Sequence, residues 1–325
     1  MNIDFQEIQH SKNLLAFSAG VDSSALFFLL KKHNITFDIA IVNYNKREQS
    51  KEEISYAKEL AKKHQKKIFI KELFLDDSNF EKIARDKRYK FFEELISKYQ
   101  YEVLITAHQL DDKLEWFMMQ LTKGAGLVEL IGFNTWEQRQ NYSIYKPLLE
   151  VSKEELKTYL DSNRLNYFVD KSNYDEKYKR NYFRHNFTNE LISNFKDGIS
   201  RSFKYLDNDV ESLNLNDKPF FKNRSLEVFK SSQDSNLDIR VIDKNLKKRG
   251  IIISNATRKE ILKQKEIIVS NKIAVAIQMQ YIFIAPFIKI TMDKKFKDTC
   301  RVKKVPKTIR GYLYKENIDL KKINF

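Results

Sequence analysis

The sequence predicts an α/β domain built on a parallel sheet, followed by a helical linker and a small, basic α+β domain. Three observations carry this. Short apolar runs alternate with longer stretches of helical spacing through the first half, the pattern of βαβ units. A turn of small residues, Ser18-Ala19-Gly20-Val21-Asp22-Ser23-Ser24, joins the first apolar run directly to a helical one. Positive charge is gathered toward the C-terminus: of 59 Lys and Arg and 44 Asp and Glu, residues 196–325 hold 29 and 15, while the remaining 30 and 29 nearly cancel.

In chain order, the strand candidates are Leu14–Phe17, Phe37–Val42, Lys67–Ile70 and Val103–Thr106, with helical patterns over Ser23–His33, Lys51–His64 and Phe80–Tyr99 between them. Ligands bind at the carboxyl ends of strands in such sheets. The Ser18 turn and the segment Thr106-Ala107-His108 both lie at such ends, so the topology brings them to one edge. From Val151 to about Phe195 the pattern is helical and polar, with Ser152 and Glu155 forming a capping box that opens Glu154–Ser162. A linker helix is expected near Ile199–Leu206, and the polar stretch Glu211–Lys222, carrying Pro219, marks the boundary. The division read from this is 1–195, a linker at 196–215, and 216–325. The last part mixes helices with β-like runs at Gly250–Ser254, Glu266–Ser270, Ile273–Gln280 and Tyr281–Ile290; no internal repeat is visible.

The bulk composition narrows the classes. With 325 residues and 42% hydrophobic content, the chain has material for two cores. No apolar run approaches the roughly 20 residues of a membrane span, and the N-terminus lacks the basic start and apolar stretch of a signal peptide. The one cysteine, Cys300, excludes an internal disulfide framework and a Cys-based zinc site. A cytoplasmic protein is expected, with no membrane association and no sign of a stable protein partner. Gly and Pro are scarce, at 7 and 4, as in a compositionally biased chain. Such a bias would spread the net charge of +15 evenly. Its concentration fits a polyanion-binding surface, where neutralised phosphates release counterions; the plainer reading is a merely soluble basic domain.

The Ser18–Ser24 turn has the chemistry of a phosphate cradle. Backbone N–H groups point outward at a strand–helix junction, and the helix dipole favours an anion. Gly20 permits close approach, while Ser18, Ser23 and Ser24 add hydroxyls. The turn is neither a Walker A loop nor a dinucleotide fingerprint. It resembles the S-G-G-x-D-S loop of the PP-loop ATP pyrophosphatases, with Ala19 replacing the first glycine. That resemblance implies the PP-loop (adenine nucleotide alpha hydrolase-like) fold, with ATP bound at Ser18, Ala19, Gly20, Val21, Asp22, Ser23 and Ser24 and cleaved between its α and β phosphates. Ala19 is tolerable there if its φ is negative, since only φ > 0 or close approach demands glycine.

A second constellation is His108-Gln109-Leu110-Asp111-Asp112-Lys113-Leu114-Glu115. On one helix, positions 108, 111, 112 and 115 share a face. Carboxylates near bound ATP are costly without a cation between them, so Mg²⁺ is implied, with Asp22, Asp111 and Asp112 as candidate ligands. The plainer reading is a helix with acidic residues in its first turn. Arg85 and Arg88, in Arg85-Asp86-Lys87-Arg88-Tyr89, either reach phosphates or are solvated helix charges.

Five segments fall in the order found in the tRNA(Ile)-lysidine synthetases, and the chain is similar to that family over roughly residues 12–190. They are Ser18–Ser24; Val42-Asn43-Tyr44-Asn45-Lys46-Arg47; Ile83–Phe92; Thr106–Glu115, continuing to Lys123-Gly124-Ala125-Gly126-Leu127 and Lys146-Pro147-Leu148-Leu149; and Val169–Asp175 with Arg180-Asn181-Tyr182-Phe183-Arg184-His185. The last resembles the family's D-x-S-N-x-D and R-N-x-x-R segments. The family usually has histidine at the positions of Tyr44 and Gln109, which leaves His108 as the sole imidazole candidate.

The resemblance implies an enzyme, a C–N-bond-forming ligase, that joins free L-lysine to carbon 2 of the wobble cytidine of a tRNA(Ile) with a CAU anticodon. ATP and Mg²⁺ are consumed or required, and AMP and pyrophosphate are released. By the same resemblance Asp22, Arg88, His108, Asp112 and Glu115 are the catalytic candidates. Arg85, Arg88, Arg180, Asn181 and Arg184 are the tRNA-binding candidates, together with the basic C-terminal part. Two alternatives are a PP-loop tRNA thiolase, which the lone cysteine disfavours, and a non-catalytic RNA-binding protein, against which the intact loop argues.

Overall fold

A computed structural model describes residues 3–44, 49–74, 80–169, 179–213 and 218–319. The chain forms two compact units, Met1–Asn208 and Asp209–Phe325. The first contains β1 (Asn13–Phe17), α1 (Val21–Lys32), β2 (Phe37–Asn43), α2 (Gln49–Lys63), β3 (Ile68–Glu72), α3 (Phe80–Tyr99), β4 (Val103–Ile105), α4 (Leu110–Leu121), α5 (Leu127–Ile131), β5 (Trp136–Gln138), β6 (Ser143–Tyr145), α6 (Lys153–Ser162) and α7 (Lys179–Phe183). A π-helical turn, Arg184–Thr188, then leads into α8 (Asn189–Ser212).

Six strands form one sheet in the order β3-β2-β1-β4-β6-β5, parallel except for β5. The central strands are buried on both faces, which is why they read as continuous apolar runs. Their side chains still divide by a period of two. Leu15, Phe17, Ile39 and Ile41 face a core with Leu26, Phe27 and Leu30 of α1, Leu60 of α2, and Leu156 and Leu160 of α6. Leu14, Ala40, Leu104 and Ile144 face the other way, onto Phe91, Phe92, Leu95 and Ile96 of α3. Full burial of each leucine, isoleucine or phenylalanine among them is worth about 1.5–3 kcal/mol. The expected capping box at α6 is present: Ser152 Oγ accepts from the Glu155 N–H, and the Glu155 carboxylate accepts from the Ser152 N–H at 2.8 Å.

Two expectations change in this unit. β5 and β6 extend the sheet beyond the four predicted strands. Residues 196–212 of the linker expected at 196–215 belong to the longer α8, which bends at Phe195 (φ −134°), and the two units divide within that helix.

The second unit holds β7 (Phe221–Asn223), β8 (Leu226–Lys230), α9 (Ser235–Lys248), α10 (Asn255–Gln264), β9 (Glu266–Val269), β10 (Ile273–Gln278), β11 (Tyr281–Pro286), α11 (Lys294–Val302) and α12 (Lys307–Lys315). Its antiparallel sheet runs β7-β8-β11-β10-β9. Alternation again builds two cores: Ala274, Ala276, Phe283 and Ala285 meet Ile309, Tyr312 and Leu313 of α12, while Val275, Ile282 and Ile284 meet Ile242, Leu246 and Ile261 of α9 and α10. The β-like run Gly250–Ser254 is not a strand but the approach to α10, whose first turn Ser254 caps. Among the described residues, no helix is long and apolar enough to cross a membrane.

Candidate active site

The phosphate turn begins where β1 ends. Ala19 sits at φ +60°, so the negative φ set as the condition for tolerating alanine there is not met: alanine occupies the left-handed region that glycine favours. Its carbonyl accepts a hydrogen bond from the Phe168 N–H at 2.9 Å, and Gly20 forms a parallel bridge with Phe168. Tyr56 of α2 supports that segment, donating from its hydroxyl to the Asn166 carbonyl at 2.6 Å and meeting the Phe168 ring edge-on at 5.7 Å. Within the turn, Ser18 Oγ and Ser23 Oγ lie 3.0 Å apart, Ser23 Oγ also accepts from the Ser18 N–H, and Gly20 caps α1. Val21 is buried at the first position of α1, and Ser24 Oγ is buried without a hydrogen-bond partner.

Asp22, in the first turn of α1, has Oδ1 shut from solvent with no hydrogen-bond partner. Burial pushes its pKa up to about 7, and the negative charges of Asp112 and Asp111 push the same way.

The second segment differs from the expected single helical face. His108 precedes the helix; Gln109 is the N-cap, its side chain accepting from the Asp111 N–H at 2.5 Å while Asp112 Oδ2 accepts from the Gln109 N–H at 3.1 Å. His108 Nδ1 lies 3.0 Å from Thr106 Oγ1, and its ring lies 5.2 Å from that of Phe133. Gly132, at φ +57°, allows this wall: a Cβ there would come within 1.9 Å of Trp116 Nε1. Burial lowers the His108 pKa to about 4 against the pull of Asp112, with Arg180, Lys146 and Arg88 lowering it further. A pKa this low favours the neutral imidazole at pH 7, which suits a hydrogen-bonding role better than proton abstraction.

Asp111 and Asp112 face different partners. Asp111 Oδ2 accepts from the Lys153 N–H at 3.0 Å, and burial raises the Asp111 pKa to about 6. Asp112 is also buried, which alone would raise its pKa, but Arg180, His108 and Arg184 outweigh burial and hold the carboxyl below its usual range. Glu115 is fully enclosed between two arginines: Arg180 Nε donates to Oε2 at 2.6 Å, and Arg184 donates through Nε to Oε1 at 2.6 Å and through Nη2 to Oε2 at 3.1 Å. Arg180 Nη2 also donates to Asp112 Oδ1. The arginines expected at tRNA thus bind protein carboxylates, and Asn181 beside them is buried. The two guanidiniums, Arg184 mostly buried and Arg180 partly exposed, compensate the buried Glu115 charge, which would otherwise be prohibitive.

Arg88 of α3 hydrogen-bonds the Tyr44 hydroxyl and lowers its pKa against the larger effect of burial. Arg85 is exposed and stacks over Tyr89 at 5.7 Å. The segment 170–175 and Asn45-Lys46-Arg47 lie outside the described residues. Sequence reasoning missed Lys146 as a site residue. It is buried, donates to Glu137 Oε2 at 3.1 Å, and its pKa is lowered by burial. A lone lysine in the run Tyr145-Lys146-Pro147-Leu148-Leu149 was the one available signal.

Among the described residues, no group of three or more acidic, His or Cys side chains forms a metal cage. The donor set at Asp22 nonetheless fits a divalent cation: an orphaned buried carboxylate oxygen faces further negative charge with no guanidinium bonded to it. Magnesium typically takes one or two carboxylates and completes its shell with phosphates and water.

A phosphate turn at a switch in strand order, closed by a carboxylate and set on a parallel sheet, defines a PP-loop ATP-binding protein, and residues 2–191 match the PP-loop domain family. The chain is 42% identical over 319 residues to the tRNA(Ile)-lysidine synthase of Campylobacter jejuni (strain RM1221), covering 98% of this chain and 97% of that one. It is 42% identical over 315 residues to that of Wolinella succinogenes, covering 97% and 96%. The chain belongs to the tRNA(Ile)-lysidine synthase family. In fold it is similar to the U34-tRNA thiolase NcsA from Methanococcus maripaludis, with TM-score 0.51 and 18% identity over 62% of this chain and 74% of that one.

Proposed function

We propose that the protein ligates free L-lysine to carbon 2 of the wobble cytidine in tRNA(Ile) bearing a CAU anticodon, consuming ATP. The near full-length identity to relatives named tRNA(Ile)-lysidine synthase carries the reading. The cytidine O2 attacks the α-phosphorus of ATP, pyrophosphate leaves, and carbon 2 acquires an adenylate ester. The lysine ε-amine, having lost its ammonium proton, then attacks carbon 2 and AMP departs. An amide-like oxygen is a poor leaving group until it becomes such an ester.

In this reading the Ser18–Ser24 turn holds the phosphates through backbone N–H groups and hydroxyls. Asp22 would hold magnesium, with Asp111 and Asp112 alongside, and the ion would supply positive charge against the phosphates. His108 orients a reacting group as a neutral hydrogen-bonding ring. Asp112 is the carboxylate that recognises the lysine ammonium, and Glu115 acts behind it by holding Arg180 and Arg184 in place. Arg85 and Arg88 meet the tRNA, as does the basic unit Asp209–Phe325, and the enzyme works in the cytoplasm. Sulfur transfer is disfavoured by Cys300, which is buried and whose thiol burial pushes up to about 11. The test is pyrophosphate release with ATP, lysine and tRNA(Ile): release that needs ATP and tRNA(Ile), with lysine needed for repeated turnover and lysidine formation, is expected. Release independent of lysine and tRNA would overturn the assignment.

A further inference from the structure

The segment Lys179–Thr188 turns Arg180 and Arg184 inward to Glu115 and Asp112 and presents aromatic rings outward. Tyr182 is 45% exposed and Phe187 38% exposed, unusual for two large aromatics this close together. Their ring centroids lie 5.9 Å apart, and both rest on the buried Phe183, at 5.9 and 5.7 Å. Asn186 Nδ2 donates to the Tyr182 carbonyl at 2.9 Å and fixes the backbone between them. In an unbroken α-helix, residues five apart sit about 140° apart around the axis. The π-helical turn Arg184–Thr188 takes up the extra residue and brings Phe187 to the side of Tyr182. Such turns are rare and recur at functional sites.

We propose that Tyr182 and Phe187 form a stacking shelf for unpaired bases of the RNA substrate, next to the wobble nucleotide's binding site. The identity of the RNA as tRNA(Ile) rests on the function proposed above; the shelf rests on the rings. Single-stranded RNA is read by stacking splayed bases on aromatic faces. The ten residues 179–188 include Lys179, Arg180 and Arg184 and no acid, and Lys179 is exposed with Nζ 5.8 Å from the Phe183 ring. A cation beside open aromatic faces matches the phosphate–base alternation of a nucleotide chain better than it matches an apolar protein surface. The inner face of the same turn reaches Asp112, the carboxylate assigned to lysine, through Arg180, so a stacked base lies within about one helix width of the chemistry.

The test is binding of the tRNA(Ile) anticodon stem-loop to the full chain at several salt concentrations, for Tyr182→Ala, Phe187→Ala, Tyr182→Phe and Phe187→Tyr. Each alanine variant is expected to bind about 5- to 100-fold more weakly with an unchanged salt slope, because the rings carry no charge. Each aromatic exchange is expected to restore binding. Thermal melting checks folding; if Phe187→Ala does not fold, Phe187→Leu keeps the packing on Phe183 and is expected to lose at least about fivefold. Alanine variants within twofold of wild type, or a loss that aromatic exchange does not repair, would overturn the shelf. Shelf-dependent binding by a wild-type protein that forms no lysidine would overturn the proposed activity and leave the shelf standing. Lysidine formation with unchanged binding in the variants would do the reverse.

Discussion

Asp22 and Glu115 are acids on neighbouring elements of one unit, yet their electrical surroundings are opposite. Asp22 closes the phosphate turn with one oxygen buried and unbonded, facing two more carboxylates. Glu115 has both oxygens bonded to guanidiniums. The turn side of the site leaves a buried carboxylate oxygen without a partner, while the α4–α7 side is complete within the protein. The contrast separates two uses of buried charge: one is held ready for ligand, the other holds the frame.

The sharpest way to break this contrast is Asp22→Ala. It is expected to reduce pyrophosphate release and lysidine formation at least about 10³-fold while leaving the melting temperature near wild type. The milder Asp22→Asn separates charge from shape. A carboxylate whose folded pKa is raised from 3.8 to about 7 carries its full stability contribution below about pH 4 and loses it as pH rises through 7. Asp22→Asn should therefore melt like wild type at pH 4 and on the order of 5 °C higher at pH 8. Magnesium alone should raise the wild-type melting temperature at pH 8 more than that of the variant. Equal melting curves at both pH values would show that Asp22 is not strained by its neighbours.

On the other side, Glu115→Gln leaves the mostly buried Arg184 without its carboxylate, while the partly exposed Arg180 keeps Asp112, and is expected to cost about 3 kcal/mol in urea unfolding. A loss below about 1 kcal/mol would mean the arginines find other partners. His108→Ala is expected to slow single turnover about 10²-fold, with His108→Asn retaining part of the rate, as for a positioned hydrogen-bonding group. Because its pKa is held near 4, the wild-type rate profile should show no His108 step between pH 6 and 7. A step there that disappears in His108→Asn would return the ring to acid–base duty. The smallest effect expected is for Gln109→Ala, which removes the α4 cap and should cost about 0.5–2 kcal/mol.

What could be read from the sequence follows the range of the interaction involved. The phosphate turn, the four central strands and the α6 capping box are local patterns, each set by a few adjacent residues. β5 and β6, three residues each, are too short for periodicity to register. His108 was placed on the helix because its spacing suits one, but Gln109 takes the cap and ends the helix before it. The destination of Arg180 and Arg184 was hidden for another reason: their partners lie 65 to 69 residues back, and nothing local distinguishes a phosphate-binding arginine from one that neutralises Glu115. The sign of φ at Ala19 depends on the Phe168 N–H that its carbonyl accepts, again a distant partner.

That last bond has a consequence for how the molecule is made. Phe168 leaves the ribosome 149 residues after Ala19. At about 5–20 residues per second, roughly 7–30 s separate the two. During that interval the strands β2 to β6 are made and can pair into a sheet with β1, but the left-handed Ala19 lacks the N–H that its carbonyl accepts in the finished fold. The nucleotide loop is written first and locked last, so a chain halted before Phe168 carries the motif in its sequence and not yet in its shape.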